Sequence, residues 1–252
     1  VNFRHIFKKI SLILSIILFV IPISAYSAQT EWQVVFSDTG TSGNWKDKWF
    51  LDGNEATVEY TPNGIKFSAG RGTTDADHAV LWAKPVIEND VKIEYDFTRL
   101  DKIDNYVNIL FIQAQGIGTN KYPKDISTWS RPTPEYNIYF DGMDYYNLSY
   151  ANVQNEVRAR QCRGFNVIKR YTNVDMFQRN QQHHITVIKE GLNFQMTATK
   201  LSSGVTKTWK FKASATKSPV ITKGRIGLRH MAQRSSLYKN VKIYTQSAVT
   251  PK

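Results

Sequence analysis

Arg158 and Arg160, two residues apart in the run VRAR, have the spacing that says most about chemistry in this chain. On a strand they share one face, roughly 7 Å apart, and each guanidinium offers a planar fork to a carboxylate. Arg229 closes the run GRIGLR, where Ile226 and Leu228 alternate with the arginines and so take the opposite face. Such cations suit a uronate. β-Elimination at a uronate needs charge stabilised on the carboxylate, a base for the neighbouring proton and an acid for the leaving oxygen. His78 and His230, at strand ends beside loops, and Tyr139 are the candidates for proton transfer. A tyrosine can do this when a nearby cation lowers its pKa. Asn108 and Gln113, in VNILFIQAQG, could hydrogen-bond a sugar, and Trp82 and Trp129 offer rings for stacking.

Other residue pairs suggest other chemistry. Glu94 and Asp96 alternate on one strand and could meet the longer of the two carboxylate spacings used in glycoside hydrolysis, about 6.5–9.5 Å. Lys92 and Thr98 share their face, which reads as a solvated one. Asp141 and Asp144 form a second acidic pair in a turn-like setting. His183 and His184 are adjacent, so they point to opposite faces and cannot grip one metal together. Asp75, Asp77 and the stretch Asp101 to Asp104 could lend oxygens to a structural calcium, without the spacing of an EF-hand loop. No other cofactor is expected. Cys162, the single cysteine, reads as a half-buried strand thiol rather than a nucleophile.

The elements that must position these groups are strands. Short alternating runs separated by Gly, Asn, Asp and Pro predict an all-β sandwich or barrel. Strands are expected at Gly64 to Ala69, Ala79 to Ala83, Asp90 to Arg99, Tyr106 to Gln115, Glu135 to Asp141, Tyr146 to Ala151 and Glu156 to Gln161. Further strands are expected at His183 to Lys189, Asn193 to Lys200, Val205 to Phe211 and in a closing pair within Gly224 to Tyr244. Lys189-Glu-Gly191 reads as a hairpin turn, and the long polar connection Gly116 to Pro134 as a functional loop.

Residues 1–28 have the three parts of a secretory signal: Arg4, Lys8 and Lys9, then an apolar run, then Ala25-Tyr-Ser-Ala28. Residues 29–252 then form one domain, expected to be periplasmic or secreted and free of the membrane once the signal is removed. No cysteine follows the cleavage site to carry a lipid. The net charge of +12 remains strongly basic when the leader is set aside. In an exported protein that charge points to an acidic polysaccharide or oligosaccharide rather than to nucleic acid.

The runs HAVLW, DVKIEYDFTRLD, VNILFIQAQG, YNIYFDGMDYYNLSYA, VRAR, HHITVIKEG and GRIGLRHM together resemble the YesU-like family, a bacterial domain of unknown function. The resemblance spans about Glu31 to Tyr244. It implies a concanavalin-A-like (galectin-like, laminin-G-like) two-sheet jelly-roll sandwich and, by association with carbohydrate utilisation, a glycan ligand. The E-x-D-x-x-E strand of laminarinase-like hydrolases and the R-x-E-L-R and Q-[IV]-H strands of alginate lyases are absent; Glu94-Tyr-Asp96 and Val157 to Gln161 are partial echoes. The leading expectation is a polysaccharide lyase on an acidic glycan. The alternatives are a non-catalytic galectin-like binding module and a hydrolase using Glu94 and Asp96.

Overall fold

The computed structural model describes residues 30–103, 107–129, 135–151, 155–216 and 218–248. The leader, Asp104 and Tyr106, and positions 130–134 of the long connection lie outside the described residues.

In chain order the strands are β1 (Thr30–Asp38), β2 (Trp49–Asp52), β3 (Thr57–Thr61), β4 (Gly64–Ser68), β5 (Ala79–Ala83), β6 (Ile87–Glu88), β7 (Val91–Arg99) and β8 (Asn108–Gly116). The helix α1 (Tyr136–Gly142) follows. Then come β9 (Met143–Tyr150), β10 (Val157–Cys162), β11 (Asn166–Tyr171), β12 (Gln182–Glu190), β13 (Asn193–Lys200), β14 (Thr206–Lys212), β15 (Lys223–His230) and β16 (Ser235–Ala248). They form two antiparallel sheets. The first runs β14-β13-β12-β7-β16-β4-β3, with β1 also paired to β16. The second runs β11-β10-β9-β8-β15-β5-β2, with β6 paired to β15.

Alternation sets the layers. In β7 every odd-numbered residue from Val91 to Arg99 is buried and every even-numbered one is partly exposed. Ile93, Tyr95 and Phe97 therefore meet Leu110, Ile112, Tyr146, Leu148 and Tyr150 of the second sheet in one core. Strands β5 and β9 are buried at every position, because both of their faces are covered. Their inner residues join the main core. Their outer residues Val80, Trp82 and Tyr145 join a second apolar cluster with Phe111, Ile126, Tyr139 and Met143. That cluster lies under the connection between β8 and β9, which Arg225 pins by donating to Asp125 at 2.8 Å.

One expected strand is a helix. Residues Glu135 to Asp141 read as alternating, yet Tyr136–Gly142 forms α1. Tyr139 packs on Trp82 and Phe111, and the next residue, Phe140, packs on Tyr145. Successive strand residues face opposite ways and could not both reach this surface; on a helix they share a side. Five strands escaped the alternation pattern, β1, β2, β3, β6 and β11, and the last of these matters for the site.

Candidate functional site

Strand parity brings the arginines together. In the second sheet the outer face carries residues 78, 80 and 82, then 109 and 111, 145 and 147, 158 and 160, and 227 and 229. The inner partners Ala79, Leu81, Leu110, Ile112, Tyr146, Leu148, Ala159 and Leu228 sit in the main core. Arg160 pairs with Asn147, Asn147 with Phe111, and Phe111 with Gly227. Arg158 pairs with Ser149, Ser149 with Ile109, and Ile109 with Arg229. Three strand spacings, roughly 14 Å between Cα atoms, thus separate Arg158 from Arg229, and long side chains close that distance.

They close it around a hollow of about 130 Å³, lined by His78, Ile109, Phe111, Phe140, Tyr145, Asn147, Arg158, Arg160, Phe165, Arg229 and Met231 among others. Its floor is aromatic. The Arg229 guanidinium lies 4.9 Å from the Tyr139 ring centre, and that of Arg160 lies 4.2 Å from Phe165. Arg160 and Arg229 are 7% and 3% exposed, so their charges are largely out of water. Arg158 meets the buried Glu156 at 3.3 Å, which also holds Arg170 of β11 at 3.1 Å. Asn147 is buried, and its Oδ1 has no hydrogen-bond partner among the described residues. A buried acceptor left so costs free energy unless a ligand donor or water meets it.

His78 lies in the hollow, but its proton chemistry is spoken for. Arg229 donates to His78 Nδ1 at 2.8 Å, which leaves the imidazole proton on Nε2, 3.7 Å from Asp75. Burial first, then the Arg229 charge, pushes its pKa down to about 4, so the ring is neutral at pH 7 with its lone pair occupied. Tyr139 is displaced from the expected role by α1. Its hydroxyl donates to Asp52 Oδ2 at 2.7 Å, beside Trp82 Nε1 at 2.6 Å on the same oxygen. His230 occupies the inner face, stacked on Phe67 at 4.2 Å with Nε2 2.8 Å from the Tyr238 hydroxyl, and burial pushes its pKa down to about 3. The expected role of His230 in proton transfer therefore fails, and its shared parity with Ile226 and Leu228 is the signal that could have shown it.

The other expected sugar contacts are also elsewhere. Asn108 faces inward and donates to Ser236 Oγ at 3.1 Å. Gln113 closes the bulge of β8 by donating to the carbonyls of Asn89 and Thr222 at 2.7 and 3.0 Å. Trp82 is fully buried over Gly227, where a Cβ would stand 2.5 Å from the indole. Trp129 packs on Tyr122 at 5.1 Å and donates to the Pro123 carbonyl; it does not line the hollow.

Glu94 and Asp96 lie on the outer face of the other sheet. Burial would raise the Glu94 pKa, but hydrogen bonds from Tyr244 and Lys92 outweigh it and hold the carboxyl below its ordinary value. Asp96 meets His184 at 2.9 Å. The pair is thus bound to neighbours on the sheet opposite the arginines. Asp144 is buried and paired to Arg163 at 3.2 Å, whereas Asp141 is exposed. Asp77 accepts from Gly72, Thr74 N and Thr74 Oγ1, and Asp101 from Arg234, Ile103 and Ser235. No group of three potential metal ligands occurs among the described residues. Burial pushes the Cys162 thiol up to about 11, away from thiolate chemistry.

Asn147, Tyr145, Phe140 and Phe165 were not anticipated. Parity within YYNLSY marks Tyr145 and Asn147, since Tyr146, Leu148 and Tyr150 fill the core. Phe165 lies in the turn between β10 and the unforeseen β11, and nothing periodic marks it.

These sheets define a galectin-like sandwich. A galectin-like protein of unknown function from Bacillus subtilis is 18% identical, covers 87% of this chain and 100% of its own, and gives a TM-score of 0.67. The carbohydrate-binding module CBM66 from Bacillus subtilis is 14% identical over 79% of this chain and 96% of its own, with a TM-score of 0.51. The basic winged bean lectin solved with Tn-antigen is 7% identical over 88% and 100%, at 0.55. At these identities the likeness concerns the fold. The chain belongs to the family described as domain of unknown function DUF1961, matched over residues 33–243. No curated protein matches it.

Proposed function

We propose that this protein is a non-catalytic glycan-binding module whose hollow on the second sheet takes an acidic sugar. The observation that carries this reading is the convergence of Arg158, Arg160 and Arg229 on one aromatic-floored hollow with the unpartnered Asn147 Oδ1. The guanidiniums engage a carboxylate, the rings pack against the apolar side of the sugar, and Asn147 accepts from a hydroxyl. The carbohydrate-binding module and the lectin among the structural neighbours support a glycan as the ligand.

Binding fits better than elimination because the expected proton-transfer groups are engaged, and burial raises the pKa of the Tyr145 hydroxyl that also lines the hollow. The His78 lone pair faces Arg229, the Tyr139 proton is committed to Asp52, and His230 is sealed in the core. A lyase needs one such group open to the sugar.

The test is calorimetric titration with uronate-bearing and neutral oligosaccharides, alongside assays for new reducing ends and for ultraviolet absorbance from unsaturated uronates. Acidic ligands should bind, and neither enzymatic signal should develop. A charge-assisted hydrogen bond contributes about 1.5–3 kcal/mol, so Arg158→Ala with Arg160→Ala should weaken binding at least about tenfold. Unchanged affinity in that double variant, or accumulation of unsaturated product, defeats the reading.

A further inference from the structure

We propose that a second subsite lies beside the first and takes the next residue of the same glycan chain, an uncharged one; this rests on the glycan-binding reading. Phe140 and Phe165 meet edge to face with centroids 4.4 Å apart, and both line the arginine hollow. Beyond Phe140 opens a wider, shallower hollow of about 480 Å³, lined by Asp141, Arg163, Asn166 and Ser218 among others. The two hollows share Phe140 as their common wall. Phe165 is 37% exposed at this boundary, with the Arg160 guanidinium on its ring. An aromatic ring exposed between two recesses is a surface on which a sugar stacks.

The charges of the two hollows differ. The first gathers three guanidiniums. In the second, Arg163 is already paired with Asp144 at 3.2 Å, and Asp141 stands exposed. A second carboxylate there would face the exposed Asp141, while the Arg163 guanidinium is engaged by Asp144. Hydroxyls suit the second hollow, since Asp141 accepts and the outer guanidinium edge of Arg163 can donate. Asn166 holds the turn in place by donating to Ser218 Oγ at 3.0 Å, and Ser218 Oγ donates to the Arg163 carbonyl at 2.9 Å. The preferred unit is therefore a uronate linked to an uncharged sugar, and Asp141 is the residue that discriminates.

Calorimetry with three probes tests this: a free uronate, an oligosaccharide of uronates only, and one alternating uronate with an uncharged sugar. The wild-type protein should bind the alternating probe at least tenfold tighter than the free uronate, and the all-uronate probe severalfold more weakly than the alternating one. Asp141→Asn, at an exposed helix position, should narrow that gap severalfold by raising all-uronate affinity. Equal wild-type affinity for the two oligosaccharides, or an unaltered ratio in Asp141→Asn, overturns the second subsite while the arginine hollow stands. Failure of the wild-type protein to bind any of the three removes the arginine hollow as a glycan site, and the second subsite with it.

Discussion

The outer faces of the two sheets share one alternation but treat their charges differently. On the first sheet charges are settled within and between neighbouring strands: Lys92 meets Glu94 at 3.1 Å, Tyr244 donates to Glu94 at 2.6 Å, and Asn240 and His184 both reach Asp96 at 2.9 Å. On the second sheet guanidiniums crowd over aromatic rings in a hollow, and Glu156 is shared by Arg158 and Arg170. Solvated pairs of the first kind contribute about 0–1 kcal/mol. Cations buried as on the second sheet carry a desolvation cost that apolar packing would avoid. An anionic ligand of the kind proposed would offset part of that cost.

The largest effect that can sharpen this contrast lies beneath the hollow. Trp82→Ala removes a buried indole that packs on Phe111 and Tyr139 and donates to Asp52. Urea denaturation should show a loss of about 3–5 kcal/mol. If Trp82 were an open sugar platform instead, the variant would lose affinity and keep its stability.

Titration gives the next largest effect. His78 has a folded pKa of about 4 against an ordinary 6.5, and His230 about 3. Between those values the unfolded chain binds more protons than the folded one, so stability is full above pH 6.5 and falls as pH drops toward 4. For His78 the loss is on the order of 3 kcal/mol. His78→Gln, which keeps an acceptor for Arg229 but does not titrate, should flatten the fall in urea midpoint across that window. An identical slope in wild type and variant would mean that burial and Arg229 do not hold His78 neutral.

Much of this site could be read from parity. Ile226 and Leu228 send Arg229 outward and His230 inward, against the role expected for His230, and the core-facing Val157 and Ala159 send both Arg158 and Arg160 outward. What could not be read were contacts between distant segments. Nothing local says that Arg229 will reach the Nδ1 of His78, 151 residues away. Nothing in EYNIYFD says that Tyr139 and Phe140 must share a surface, which is why a helix replaced the expected strand. Phe165 was hidden for a related reason: it sits in a tight turn with φ of 58°, where no period operates.

The smallest expected effect tests the comparison from its other side. Glu94→Gln with Asp96→Asn removes both carboxylates from the first sheet's outer face and leaves their shapes. Glu94 is held ionised by Tyr244 and Lys92 but is 23% exposed, so water screens most of what those contacts contribute. Stability at pH 7 should change by about 1 kcal/mol or less, and acidic-glycan affinity should not change, because the substitutions lie on the sheet opposite the arginines. A marked loss of affinity, or loss of a hydrolytic activity on any glycan, would move the working face to the first sheet. The buried guanidiniums of the second sheet would then need another reason to exist.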